Sequence, residues 1–156
     1  MRFLEDLGAP LPQALQTAAD IVLGAQIIRE LHGDHIDVER LRHLIDEARA
    51  RNVNVFNSDL AYAVKGAMER LMQAVATTPE DLATLKMLED LARLLRPLPL
   101  NLNLWKVQNS YYEAMQTVTS WYQKKAAEGD ETARAWLENF RAVGNELNFA
   151  VNHLQV

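Results

Sequence analysis

The placement of proline constrains this chain more than any other feature. All five prolines lie in connectors or at a helix start, where a missing N–H and a fixed φ do the least harm. Between them, apolar residues recur three and four positions apart, which is typical of helices. We therefore predict an all-α fold, a bundle of about six helices forming a single domain over residues 1–156. Residues 96–103 are the joint at which the chain could divide into two sub-bundles, 1–96 and 104–156.

Pro12 opens the first predicted helix, which runs to about residue 31. Because this helix carries few charges, we expect other helices to surround it. The residues predicted to face inward are Leu15, Ala18, Ala19, Val22, Ala25 and Ile28.

Polar residues mark where the next helices begin. We expect Asp37 to cap the second helix, Asn57 or Ser58 the third, and the last helix to begin after Asp130. The motif TTPED predicts the start of the fourth, with Thr78 at the N-cap, Pro79 at the first helical position, and Glu80 and Asp81 in the first turn.

An extended connector rich in proline and leucine precedes the fifth predicted helix. Its leucines alternate along PLPLNLNL, but prolines cannot donate to a ladder, so a central strand is not expected. We expect the connector to pack against the bundle through these leucines, with Asn101 or Asn103 capping the helix that follows over residues 104–127.

That helix divides into three arcs at about 100° per residue. The predicted core arc comprises Leu104, Val107, Tyr111, Ala114, Met115, Val118 and Trp121. The predicted solvent arc comprises Lys106, Ser110, Glu113, Ser120 and Lys124. The third arc has rings and hydrogen-bonding groups but no charge, and comprises Trp105, Gln108, Asn109, Tyr112, Gln116, Thr119 and Gln123.

The third arc suits a partly desolvated surface that meets something polar. Full burial would penalise its amides, and full exposure would leave its aromatic rings in water. Another protein domain fits this surface, and so does a sugar, whose C–H faces stack on rings while its hydroxyls bond to amides. An ordinary contact between helices, with every amide bonded locally, is the alternative.

Composition excludes several classes of function. There is no cysteine, which excludes disulfides and cysteine-ligated metals and is compatible with a cytoplasmic location. A net charge of -5 without a basic cluster argues against binding nucleic acid. No uncharged run approaches the roughly 20 residues that span a bilayer, and we expect no membrane association.

No pattern in the chain predicts catalysis, a cofactor or a metal. His32, His35 and His43 lack the spacing of a helical zinc or di-iron site, so surface or capping roles are expected, and His153 lies near the C-terminus. Neighbouring acidic residues such as Glu89 and Asp90 are expected to be solvated charges. Phosphate-binding loops, dinucleotide fingerprints and nucleophile elbows are absent from the sequence.

Three segments carry a resemblance to a known family. They are MRFLEDLGAPLPQAL, then DLATLKMLEDLARLLRPLPLNLNLWKVQNSYYE, and finally ETARAWLENFRAVGNELNF. Together they resemble the C-terminal helical region, domain of unknown function 3536, of glycoside hydrolase family 57 proteins described as α-amylase- or α-mannosidase-like. The resemblance covers essentially the whole chain, and NLWKVQNSYY is its most specific part.

The resemblance implies an accessory role. Family 57 enzymes are retaining glycosidases or glucanotransferases with their two carboxylates on an incomplete (β/α) barrel, and no part of that barrel is in this sequence. By resemblance, this chain would be the C-terminal part of a longer protein. It would dock on the barrel or wall its cleft, with Trp105, Lys106, Gln108, Asn109 and Tyr112 facing the barrel or an α-glucan. A carbohydrate-binding module and a free-standing interaction protein, homodimeric when isolated, are the alternatives.

Overall fold

The computed structural model describes residues 12–148 and confirms the all-α class. Within that range the chain forms seven helices and no strand. The helices are α1 (Gln13–His32), α2 (Val38–Ala50), α3 (Ser58–Thr77), α4 (Leu82–Leu95), α5 (Trp105–Thr117), α6 (Thr119–Ala127) and α7 (Glu131–Glu146). None of these helices has the length and apolar content needed to cross a bilayer.

Three helices begin at the predicted caps. Oδ1 of Asp37 accepts from the backbone N–H of Arg40 at 3.0 Å, and Oδ1 of Asn57 accepts from that of Leu60 at 3.0 Å. At α7, Oδ1 of Asp130 accepts from the N–H of Ala133 at 3.1 Å. Each side chain satisfies one donor that the first helical turn would otherwise leave without a partner.

The predicted start of the fourth helix is wrong by three residues. Asp81, not Thr78, is the N-cap of α4, and its carboxylate accepts both the backbone N–H of Thr84 at 3.3 Å and the Thr84 hydroxyl at 2.6 Å. Residues 78–81 form a turn closed by the Asp81 N–H bonding to the Thr78 carbonyl at 3.1 Å. A residue of α7 also contacts this turn: the Trp136 indole N–H donates to the Pro79 carbonyl at 2.7 Å.

The prediction that other helices surround α1 is also wrong. Its buried side chains lie on one side only, which packs against α2 and α3: Ala19, Leu23, Ile27 and Leu31. Of the residues predicted to face inward, Ala19 is buried and Ile28 is half-buried, whereas Leu15, Ala18, Val22 and Ala25 are exposed. A helix that is apolar all round does not reveal from its own sequence which side meets the bundle.

Four stacked rings hold the C-terminal half together. Tyr111 stacks on Phe140 with centroids 4.3 Å apart, Phe140 on Trp136 at 4.7 Å, and Trp136 on Tyr122 at 4.0 Å. All four are buried, so α5, α6 and α7 share one aromatic core. Contacts of α3 with α5 and of α4 with α7 join this half to the preceding helices.

The connector before α5 forms neither helix nor strand, and it begins in a turn, where the Leu100 N–H donates to the Leu98 carbonyl at 2.8 Å. Leu98 is buried, and Leu100, Leu102 and Leu104 pack partly buried against the core. The predicted asparagine cap is wrong: the N-cap of α5 is Leu104, which has no capping side chain, and Asn103 lies one position earlier, where its Oδ1 accepts from the backbone N–H of Trp105 at 3.1 Å. The chain therefore enters α5 from a defined direction.

The fifth predicted helix is interrupted at Val118, which separates α5 from α6. Val118 has φ −107° and ψ −36°, and the Thr119 hydroxyl donates to the Met115 carbonyl one turn back. Beyond the interruption, Tyr122 is buried, and Trp121, which was predicted in the core arc, is exposed. Thr119, predicted on the uncharged arc, is buried.

Candidate docking surface on helix α5

The aromatic–amide face comprises five residues on one side of α5: Trp105, Gln108, Asn109, Tyr112 and Gln116. Trp105 is 68% exposed and Tyr112 is 47% exposed, and such exposure is unusual for aromatic residues of this size. The two residues are seven positions apart, which is close to two helical turns. They therefore lie on the same side of α5, about 10 Å apart along the helix axis. The structure thus presents two rings together on one surface.

The amides of this face have different partners. Gln108 is half-buried, and its Nε2 donates to the Leu147 carbonyl at 3.1 Å, which ties α5 to the end of α7. Nε2 of Gln116 donates to the Tyr112 hydroxyl at 2.7 Å and fixes that ring. Asn109 is exposed, and within residues 12–148 its side chain makes no hydrogen bond. Gln108 therefore takes part in an ordinary contact between helices, whereas the Trp105 and Tyr112 rings do not.

The opposite side of α5 is anchored in the core. Val107, Tyr111 and Ala114 are buried, and the Tyr111 hydroxyl donates to the Phe140 carbonyl at 2.9 Å. Burial raises the pKa of the Tyr111 phenol well above its usual range. The helix is thus anchored in the core on the side opposite the aromatic–amide face.

Charges lie around the aromatic–amide face rather than on it. Lys106, which the resemblance implies as a contact residue, is exposed and lies 3.3 Å from the Glu69 carboxylate of α3. Glu69 also lies 3.8 Å from Lys65, so the lysines share one carboxylate. The face can therefore meet a partner without desolvating a formal charge.

Two surfaces were not predicted from the sequence. Tyr62 on α3 is 77% exposed and lines a groove of about 550 Å³ between the start of α3 and the connector. The sequence could have indicated that Tyr62 is exposed. Leu60 and Val64 belong to the apolar side of α3, and Tyr62 lies on the opposite side. The second is the outward side of α1, where Ile21 is 67% and Val22 54% exposed.

The histidines of the described residues lie apart on the surface. His32, His35 and His43 are exposed, as predicted, and His153 lies outside the described residues. Among residues 12–148, no group of three or more His, Asp or Glu side chains is arranged to hold a metal ion.

Comparison with known proteins gives no relative. No protein-family model, curated protein or solved structure matches this chain.

Proposed function

We propose that this chain is a non-catalytic helical domain that docks on a partner protein through the aromatic–amide face. Such a surface binds by placing one or two large rings in apolar pockets of the partner, with amides at the rim completing hydrogen bonds. The proposal rests on one observation: Trp105 and Tyr112 are exposed together on an uncharged side of a helix that is otherwise anchored in the core.

The proposed partner follows from the resemblance to family 57 glycoside hydrolases. In that family the helical region packs beside a catalytic (β/α) barrel, so the partner is the barrel of an α-glucan-active protein in the cytoplasm. Glycoside cleavage then belongs to two carboxylates of the barrel, and this chain walls the cleft. Among the described residues, the neutral face suits such an interface, since no ion pair has to be broken on docking.

The first experiment is to determine the reading frame upstream of the Met1 codon and to express any barrel it encodes. Titration of that barrel with this chain should show a complex that Trp105→Ala weakens by at least about 2 kcal/mol, as expected for a central aromatic anchor. Trp121→Ala is the matched control, because Trp121 is an exposed tryptophan on α6, away from the face. A stop codon with a ribosome-binding site just upstream, or equal losses in both variants, would contradict the proposal.

Direct binding of an α-glucan is the second candidate function. The exposed Trp105 ring and the Asn109 amide lie on the same side of α5, which is the combination that stacks on a sugar and bonds to its hydroxyls. Titration with maltoheptaose should then quench tryptophan fluorescence saturably. The chain has three tryptophans, so loss of the signal in Trp105→Ala is needed to assign it. A flat titration rules this function out.

A further inference from the structure

A small apolar cavity lies between the connector and the helices on which it packs. It encloses about 160 Å³, and its walls come from α3, the end of α4, the connector and the end of α7. Five of the residues that line it are buried and apolar: Met68, Ala92, Leu95, Leu98 and Leu147. Its lining and the aromatic–amide face have no described residue in common, so a ligand here is independent of the proposed function.

The connector completes the apolar wall with side chains that are only partly enclosed. These are the half-buried leucines Leu100, Leu102 and Leu104. Leu91 of α4, by contrast, is fully enclosed in the core. Part of the apolar surface around the cavity is therefore in contact with solvent. A ligand that removes this surface from water gains hydrophobic free energy.

The polar part of the lining is confined to Arg96, Glu146 and Asn148. Arg96 and Asn148 are exposed, so the cavity reaches the surface on their side. Nη1 of Arg96 donates to Oε2 of Glu146 at 3.4 Å, and Oε1 of Glu146 lies 4.0 Å from Nε of Arg93. Because the charges at this mouth are already paired, a charged ligand would have to compete with them. A neutral hydroxyl can accept from Arg96 or donate to Glu146 and leave the pair in place.

The volume of the cavity limits the size of its ligand. An apolar protein cavity of about 150 Å³ accommodates benzene, whereas sites for drug-sized molecules enclose about 300–1,000 Å³. We propose that this cavity binds a small neutral molecule with an apolar body of about six carbons and a hydroxyl at the mouth. The apolar body lies against Met68 and the leucines, and the hydroxyl bonds to the Arg96–Glu146 pair.

The probe is benzyl alcohol, which joins one six-membered ring to one hydroxyl, and toluene is its counterpart without the hydroxyl. Titration of the full chain, labelled at the leucine and methionine methyl groups, is followed by NMR. The signals of Met68 and Leu98 should shift saturably, with a Kd of about 0.1–1 mM for a ligand of this size. Toluene should bind severalfold more weakly, because it makes no hydrogen bond at the mouth.

A variant that fills the cavity tests the location of the ligand. Ala92→Leu enlarges a buried side chain of the wall and should weaken binding by at least about tenfold. Ala76→Leu, on the exposed side of α3, is the matched control and should leave the affinity within about twofold. Circular dichroism checks the folding of both variants. Intermolecular NOEs from the probe ring to the Met68 and Leu98 methyl groups of the wild type locate the ligand even if Ala92→Leu does not fold.

Four results would overturn the proposal. The methyl shifts fail to saturate, Ala92→Leu folds and binds like the wild type, the NOEs place the probe on the outward side of α1 or beside Tyr62, or toluene binds as tightly as benzyl alcohol. Binding that arises only in Phe149→Ala would mean that residues beyond 148 occupy the cavity in the wild type, and it would overturn the proposal as well.

Discussion

Tyr111 shows how one residue both fills and orients the core behind the candidate surface. Its ring stacks on Phe140 while its hydroxyl donates to the Phe140 carbonyl at 2.9 Å. Burial raises the pKa of this phenol, so the folded state binds its proton more tightly than the unfolded chain does. The stability contributed by this proton is fully present below about pH 10, the pKa of an unfolded tyrosine, and is lost as the pH rises above it.

Tyr111→Phe should therefore change both the stability and its dependence on pH. At pH 7 we expect a loss of about 1 kcal/mol, because one buried hydrogen bond is removed while the stacked ring remains. Between about pH 9.5 and 11.5 the variant should lose stability less steeply than the wild type. The variant should still lose some stability at alkaline pH, since burial also raises the pKa of Tyr122. Urea unfolding at each pH provides the measurement, with Tyr112→Phe as the exposed control; equal slopes in all three proteins would contradict it.

The start of α4 shows where local sequence is insufficient. Asp37, Asn57 and Asp130 were predictable because each is a capping residue beside one periodic helical segment. At the fourth helix, Thr78 and Asp81 compete as caps three residues apart. The observed start comes with a distant contact, since the Trp136 indole, 57 positions away in sequence, donates to the Pro79 carbonyl. No local pattern contains that contact.

Asp81→Ala should lower the melting temperature by several degrees at pH 7, and Thr78→Ala should have little effect, because only Asp81 caps the helix. Hydrogen bonds from Thr84 lower the pKa of Asp81, so the folded state favours the carboxylate. This stabilisation is present above about pH 4 and is lost as the pH falls through the lowered pKa. The difference between wild type and Asp81→Ala should shrink on acidification below about pH 4. Calorimetric scans from pH 7 to 2.5 measure it, and a larger effect of Thr78→Ala would restore the original prediction.

The interruption at Val118 is the second feature of an element that the sequence did not reveal. A wheel with a constant angle per residue assumes an unbroken helix, and an interruption changes the direction of the positions beyond it. Tyr122 belongs to the aromatic core, and Trp121 lies beside Lys125, whose Nζ is 5.8 Å from the ring centroid. The positions before the break were placed correctly: Val107, Tyr111 and Ala114 are buried.

Alanine at these two neighbours should show which of them belongs to the core. Tyr122→Ala should cost about 3 kcal/mol of unfolding free energy, because it removes a buried ring stacked on Trp136. Trp121→Ala should cost less than about 1 kcal/mol, since it removes a half-exposed ring and a weak contact with a lysine. Denaturant unfolding of both variants gives the comparison. The reverse order would mean that Trp121, not Tyr122, belongs to the aromatic core.

At the scale of the whole molecule, sequence periodicity predicts helices but not the grooves between them. The aromatic–amide face was predictable because its residues recur on one helix. The groove beside Tyr62 was not predictable, because its walls come from the Phe56 region and residues 99–103, which are about 40 positions apart and meet only in the folded bundle. The orientation of α1 is a similar case, since both of its sides are apolar and only tertiary packing selects one.

The outward side of α1 provides the last prediction. Ile21 and Val22 are more than half exposed, so replacing both with glutamine removes little packing. We expect the double variant to keep its unfolding free energy within about 0.5 kcal/mol of the wild type and to bind less of a hydrophobic dye such as ANS. Ile27→Gln on the inward side is the matched control, and it should cost at least about 3 kcal/mol, because it buries an amide where an aliphatic side chain is fully enclosed. A loss of more than about 1.5 kcal/mol in the double variant would show that these side chains are buried within the protein.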